Sequence, residues 1–499
     1  DLHSFPTRRS SDLYLPKPLI IALLSSLGLF FIINIFIKDK IKSALIVSTI
    51  ALSFFSFDIL NVLFFEMNAW LSYGAILYDS LSLLTYLIFI VSLIFLIHSS
   101  KKDLSKINKL LNFFAVVVIA MQIVSIFNYQ YKNSNSNLKT NYVYRTNTEI
   151  KTTDKELPDI YYIIVDAYGR EDLLKDLYNY DNQKFISFLK DKGFYIADKS
   201  YSNYNQTFLS VVSALNLDYL DDLATEVGYE ADTRRPLSTL LRNNAFEKTL
   251  QGQGYTFVTL PSTWTGTYKN QLSDIHLSAG YESNSFNSIL VKKTPLILFF
   301  PDMRVEGTTN YVNGVLDTIP KIADLEETTF SYVHLLSPHP PFIFEADGSP
   351  INTVLNCMEG TDGSHYFKTC PGIEKYREQY IGQLSYISNR LEGIINEILL
   401  KSDTPPIIIL QGDHGPGSML DWDSAENSNV NERFSILNAY LVPEPIKEKL
   451  YPEISPVNSF RLLLNYLFDD NLDLLEDRSY FAVWDQPYNF IDITDSLDK

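Results

Sequence analysis

The sequence predicts an α/β domain behind an N-terminal bundle of membrane helices. Three observations carry that expectation. The first quarter of the 499-residue chain holds nearly all its long apolar runs. From Pro158 onward strand-like and helix-like stretches alternate, which favours a mainly parallel sheet covered by helices on both faces. Two apolar strands far apart in the chain each end on cation-binding residues: Asp166 after Ile160–Val165, and Asp413-His414-Gly415 after Ile407–Leu410. In open α/β sheets, sites form outside the carboxyl ends of the strands.

The elements follow in order. Residues 1–14 lack an initiator Met and any apolar periodicity. They resemble translated sequencing-adapter sequence joined to a truncated gene, and are set aside from the fold. Four apolar segments come next: Pro18–Ile37, Ala44–Phe65, Leu81–Ile97 and Leu110–Phe127. Each is close to the ~20 residues that cross a bilayer. One such run alone reads as a buried globular helix; four in close succession do not. The loops Lys38–Lys42 and Lys101–Lys109 are basic, whereas Glu66–Tyr78 has no Lys or Arg. The positive-inside rule puts both basic loops in the cytoplasm, so the chain emerges outside after Phe127. The first run then also starts outside, and an intact protein with a cytoplasmic N-terminus would carry one more helix upstream. Asp58, inside the second run, reads as an interfacial or paired acid rather than a functional one.

Residues 128–157 are rich in Asn, Ser, Thr, Lys and Tyr, and read as a linker. The external domain spans 158–499. Its strand candidates are Ile160–Val165, Tyr255–Leu260, Thr329–Leu335, Ile407–Leu410 and Ile436–Val442. Its helix candidates include Asn182–Lys192, Phe208–Leu215, Leu237–Gln251, Glu374–Leu400 and Val457–Leu467. A net charge of −18 argues against nucleic acid as a partner. The only two cysteines, Cys357 and Cys370, read as one disulfide closing a loop outside the membrane. A metal or catalytic thiol is the weaker alternative, since neither lies beside the ligand-bearing strands.

Carboxylate and imidazole together suit a divalent cation. Asp166 alone would read as a helix N-cap. Asp413-His414 is more specific: two ligand types stand side by side, and Gly415 lets the chain turn behind them. Thr207 sits where an apolar helix should start, beside free N–H groups and the positive helix end, a place that favours an anion such as phosphate. A cation-bound hydroxyl there would be a nucleophile; an ordinary N-cap is the bland alternative. Ser210, one turn later, is the fallback nucleophile. The loop His334-Leu335-Leu336-Ser337-Pro338-His339 carries two histidines. His339 is the better candidate to bind a phosphate oxygen or protonate a leaving group, whereas His334 reads as structural, with substrate binding as its functional alternative. Trp264 could line a head-group pocket, or be an ordinary aromatic. Arg433 could contact phosphate, or form an ordinary salt bridge.

These motifs, in this order, resemble the alkaline phosphatase superfamily in its sulfatase-like branch. By architecture the chain looks like membrane-anchored lipoteichoic acid synthases and phosphoethanolamine transferases. The resemblance covers about Pro158 to Phe468 plus the membrane layout, and implies an alkaline phosphatase-like catalytic domain. It assigns Asp166, Asp413, His414 and Thr207 to one divalent metal, Mn or Zn foremost, with Mg or Ca possible. It makes Thr207 the nucleophile of a phosphothreonine intermediate, assisted by His339. The implied enzyme is a multi-pass protein of the bacterial inner membrane with its catalytic domain outside. It would move a phosphoethanolamine- or phosphoglycerol-type head group from a membrane phospholipid to a cell-surface glycan or lipid. An ester hydrolase of the same superfamily is the alternative, and a non-catalytic membrane protein keeping the fold for binding or assembly is a third reading. Departures from the pattern bear on this choice. No Cys/Ser-x-Pro-x-Arg stands at the nucleophile region, which disfavours sulfate-ester hydrolysis, and no His follows His414, which implies a single metal.

Overall fold

The computed structural model describes residues 16–60, 75–135, 157–260, 262, 264, 273–277, 293–298, 303–351, 360–368, 370 and 372–498. The chain divides into two compact units: residues 1–140 with 284–304, and residues 141–283 with 305–499.

In the first unit, helices span Pro16–Ile37, Lys40–Phe55, Ala75–Ser99 and Ser105–Asn135. Two of them contain stretches long and apolar enough to cross a membrane, Leu19–Ile37 and Ser105–Asn128. Among the described residues this is fewer than the four spans expected. The second helix stops at Phe55, and the expected second segment runs on to Phe65, into residues 61–74, outside the described residues. In the third helix the apolar stretch is Leu83–Ser99. Large apolar side chains point outward along these helices, among them Leu19, Phe36, Leu96 and Phe127. Asp39 caps the second helix through the N–H groups of Ile41 and Lys42. The Lys42 ammonium reaches the carbonyls of His98 (3.0 Å) and Ser100 (2.7 Å), so the two basic loops lie at one end of the unit. Asp58 forms an ion pair with Lys293.

The second unit is built on a seven-stranded sheet. Its strands are β1 (Ile160–Val165), β2 (Tyr195–Ile196), β3 (Thr256–Thr259), β4 (Ile275–His276), β5 (Thr329–Leu335), β6 (Ile407–Gln411) and β7 (Asn438–Leu441). Their order is β2-β7-β6-β1-β5-β3-β4, and every pairing is parallel except those made by β7. β1 is the centre, and all six of its residues are buried. Alternation sends Tyr161, Ile163 and Val165 into one core and Ile160, Tyr162 and Ile164 into the other. The long helix Ile373–Lys401 covers the first face. Thr207–Asn216 and Pro456–Phe468 cover the second. Burial on both faces is why β1 and β6 read as apolar runs, whereas β5, equally buried, also carries Thr329, Ser331 and His334. A small hairpin, β8 (Tyr480–Ala482) with β9 (Phe490–Asp492), packs on the second face through Tyr480 and Ala482.

Candidate active site

The three central strands, β6-β1-β5, deliver the site. Their register pairs Ile164 with both His334 and Gln411. Asp166, Asp413-His414 and the loop after His334 therefore leave the sheet at one level. The Asp166 N–H still donates to the Leu335 carbonyl (2.9 Å). Asp166 is not a helix cap, because the next helix, Glu171–Tyr178, has Arg170 at its N-cap.

Close packing fixes the two acids. Ala167 takes a left-handed φ of 63° and donates its N–H to Asp413 Oδ1 (3.2 Å). Such a conformation costs a residue with a side chain about 1–2 kcal/mol. The Ser210 hydroxyl donates to the Asp413 carbonyl at 2.6 Å, tying this loop to the helix of Thr207. Gly415 is needed for space rather than for a turn. A Cβ there would lie 2.1 Å from the Glu432 carbonyl, and its φ is not among the positive ones.

The residues fit a divalent cation. His414 Nδ1 lies 3.0 Å from the Gly415 carbonyl, which can only accept, so Nδ1 carries the proton and Nε2 presents a lone pair. Around that Nε2 stand Thr207 Oγ1 (3.1 Å), Arg433 Nη2 (3.1 Å), whose N–H donates to the lone pair that a cation would take over, Asp413 Oδ2 (3.4 Å) and Asp166 Oδ1 (3.5 Å). Asp166 Oδ1 and Asp413 Oδ2 are buried without a hydrogen-bond partner. Two orphaned carboxylate oxygens in the interior are costly, and a cation would satisfy both. Among the described residues, ligand atoms of Asp166, His339 and His414 lie within 4.8 Å of one another, as do those of Asp166, His334 and Asp413. Both loop histidines thus reach the candidate metal acids, not only a substrate. His334 is buried, both its ring nitrogens are unpartnered, and its Nε2 lies 3.4 Å from Asp166 Oδ2.

Thr207 is the first residue of its ten-residue helix, with Gln206 at the N-cap making no side-chain cap bond. The helix end therefore keeps N–H groups to offer a ligand. Trp264 closes one side, its ring centroid 4.3 Å from Phe208 and 5.2 Å, edge-on, from His334.

Arg433 is buried and fully engaged. It donates to Asp362 Oδ2 (2.7 Å), the Gly415 carbonyl (3.1 Å), the Asn205 carbonyl (2.9 Å) and His414 Nε2 (3.1 Å). Arg433 does form the expected salt bridge, with Asp362, but an interior one that braces the Asp413-His414 turn. Its partner Asp362 gives no such signal in the sequence. Asp362-Gly363 reads as a turn, and Asp362 does cap the short helix Gly363–Tyr366. Yet Asp362 also accepts from the Tyr376 hydroxyl (2.7 Å) and lies 3.7 Å from His339 Nε2. Cys370 is disulfide-bonded, and Cys357 lies outside the described residues.

The electrostatics separate the two histidines. Burial opposes charge on His339, but Asp166 and Asp362 outweigh it and raise its pKa. Burial and the Arg433 guanidinium lower the pKa of His414. Burial raises the Asp166 carboxyl, but His339, His334 and His414 together hold it well below the usual carboxylate range. Asp362 is likewise held down by His339 and Arg433 against its burial. The arrangement therefore offers a neutral imidazole and two carboxylates to a cation, a hydroxyl beside them, and a second imidazole disposed to hold a proton.

No family model and no curated protein matches the chain. Among solved structures it is similar to the C-terminal periplasmic domain of EcEptC from Escherichia coli in complex with Zn. That match has a TM-score of 0.45 and 12% identity, covering 70% of this chain and 95% of that one. It is also similar to the integral membrane protein lipooligosaccharide phosphoethanolamine transferase A from Neisseria meningitidis, with a TM-score of 0.39 and 13% identity over 90% of this chain and 84% of that one. A phosphonate monoester hydrolase of Agrobacterium radiobacter matches with a TM-score of 0.39 and 12% identity, over 65% and 80% of the two chains.

Proposed function

We propose that this chain is a membrane-anchored phosphotransferase. It would move a phosphoryl-linked head group from a phospholipid to a cell-surface glycan or lipid through a phosphothreonine at Thr207. The observation that carries this reading is the Thr207 hydroxyl at an uncapped helix N-terminus, 3.1 Å from His414 Nε2, beside two orphaned carboxylate oxygens. When bound, a divalent cation held by Asp166, Asp413, His414 and Thr207 would neutralise charge and lower the pKa of the hydroxyl. The Thr207 hydroxyl would give up its proton to solvent as its oxygen bonds to phosphorus and the bond from phosphorus to the lipid alcohol breaks; in the second half-reaction the acceptor oxygen bonds to phosphorus, the bond to Thr207 Oγ1 breaks, and that oxygen regains a proton from solvent. Helix N–H groups receive the charge that develops on the phosphoryl oxygens. His339, disposed to hold a proton, gives it to the departing alkoxide and takes one back from the acceptor hydroxyl. The membrane helices keep the enzyme beside its lipid donor. Both basic loops lying at one end of the first unit support the reading of a catalytic domain on the extracytoplasmic side of a bacterial inner membrane.

The test is peptide mass spectrometry of the full chain after incubation with Mn²⁺ or Zn²⁺ and bacterial phospholipid extract, beside Thr207→Ala. A phosphate-containing adduct on the Thr207 peptide, absent from the variant, is the expected result. Free head group without a glycan or lipid product would make the enzyme a hydrolase. No adduct and no bound metal would leave the fold without this chemistry.

A further inference from the structure

Glu432 is a buried carboxylate with no part in the proposed chemistry. Four donors converge on it. Its Oε1 accepts from the Tyr178 hydroxyl (2.6 Å), the Ser418 N–H (3.1 Å) and the Ser418 hydroxyl, and its Oε2 accepts from the Met419 N–H (2.8 Å). Burial raises its pKa, and the bonds from Ser418, Tyr178 and Met419 work against that rise.

The donors come from both sides of the candidate site. Tyr178 ends the helix Glu171–Tyr178, the first helix after Asp166. Ser418 and Met419 lie in the loop Gly415–Met419, directly after His414. One carboxylate therefore ties the chain leaving Asp166 to the chain leaving His414. Each of those segments is already held close. On the Asp166 side, the Tyr380 hydroxyl donates to the Ala167 carbonyl (2.8 Å) and accepts from the Gly169 N–H (3.1 Å), and its ring packs on Tyr178 with centroids 5.0 Å apart. On the His414 side, the Gly415 N–H donates to the Arg433 carbonyl (2.6 Å), the Gly417 N–H to the Tyr376 hydroxyl (3.1 Å), and the Asn429 N–H to the Met419 carbonyl (2.9 Å). Capping does not explain the carboxylate. Glu432 sits in the helix Val430–Phe434, whose N-terminus is capped by Asn429, the side chain accepting from the Glu432 N–H (3.0 Å). A Gln in its place could not receive all four donors, because its amide nitrogen only donates.

We propose that Glu432 is a positioning residue of the candidate metal site: its carboxylate clamps the segments that follow Asp166 and Asp413-His414, and so sets the spacing of the cation's ligands. This rests on the metal-dependent reading above. The test is the affinity of the full chain in detergent for Mn²⁺ and for Zn²⁺, by isothermal titration calorimetry, with the metal-free Tm measured beside it. Glu432→Gln should bind about tenfold more weakly, the low end of what losing a group outside the ligand set does. Tyr178→Phe removes only the tether on the Asp166 side and should weaken binding by a smaller factor. It also decides the matter if Glu432→Gln does not fold. Asn431→Ala is the control. It lies on the same short helix, but its side chain bonds to Asp498 (2.8 and 2.9 Å) and not to either metal-side segment. It should lower the Tm and leave metal affinity unchanged. Equal affinity in wild type, Glu432→Gln and Tyr178→Phe would overturn the proposal. An equal loss in Asn431→Ala would overturn it too, since the helix would then act through stability alone. A wild type that binds neither metal would sink the metal reading itself, and the clamp with it.

Discussion

The two ends of strand β1 carry an acid each, and the two acids live differently. At the amino end, Asp159 Oδ1 accepts from both the N–H (2.7 Å) and the hydroxyl (3.0 Å) of Thr329. It stitches β1 to β5 and leaves that oxygen satisfied. At the carboxyl end, Asp166 is buried with Oδ1 unpartnered, and Asp413 across from it is in the same state. The residues between are uniformly apolar and uniformly buried. A structural acid is thus marked by satisfied bonds, and a working acid by a cost the fold has not relieved.

The largest effect expected from that contrast is at the carboxyl end. Asp413→Asn should lower transfer by at least about a thousandfold, the scale of losing a group that acts with the metal. It should do so without a large loss of metal-free stability, because it neutralises an unpaired buried charge. Chelation offers the companion measurement. Removing metal from wild type should lower its Tm, since a ligand bound only by the folded state stabilises it, whereas Asp413→Asn should show little further change. A wild-type Tm indifferent to chelator and added metal would break the contrast, making Asp166 and Asp413 merely unsatisfied.

The amino end should respond the other way. Asp159→Ala leaves the buried Thr329 N–H and hydroxyl without their acceptor, at a cost of about 1–3 kcal/mol in stability. Denaturant titration would show it. Transfer per folded molecule should stay near wild type, since Asp159 lies at the opposite end of the strand. A large loss of activity in folded Asp159→Ala would mean that strand register, and not only the carboxyl-end groups, limits the chemistry.

Some of this is legible in the sequence and the rest is hidden. Strands β1 and β6, buried on both faces, are apolar runs that can be read nearly to the residue, and β5 can be read from its β-branched and aromatic residues although it carries Ser331 and His334. Edge strands as short as β2 and β4 carry too few residues for a period to register. The expected helix Leu237–Gln251 is in fact two, Arg235–Leu241 and Ala245–Gly252. Asn244 breaks it by capping the second, where its side chain accepts from the Glu247 N–H (2.9 Å). The metal-type acids show because Asp166 follows β1 directly and Asp413 follows β6 after one glycine. Asp362 does not, because its partner Arg433 is distant in sequence and Asp-Gly looks like any turn. Gly415 stands out in the sequence as a turn residue, but its real constraint is the Glu432 carbonyl against it, a tertiary fact. The bond from Tyr178 to Glu432 is hidden likewise, since a long stretch of chain separates the two.

The smallest expected effect decides between two hydroxyls on one helix. Thr207 and Ser210 are one turn apart, and spacing alone leaves either as nucleophile. In the structure only Thr207 faces His414 Nε2. Ser210 is 1% exposed, and its hydroxyl is spent on the Asp413 carbonyl. Losing that bond should cost about 1 kcal/mol, the usual net worth of a neutral hydrogen bond. Ser210→Ala should therefore keep the Thr207 adduct and lower the transfer rate only a few-fold, through a loosened Asp413 turn. Thr207→Ser, which keeps the hydroxyl in place, should still form an adduct at that position. If instead Ser210→Ala abolishes the adduct while Thr207→Ala retains it, the geometry at the helix start has misled. The reacting group would then be the one now tied to Asp413, which shares a helix face with Thr207 and would first have to leave the Asp413 carbonyl.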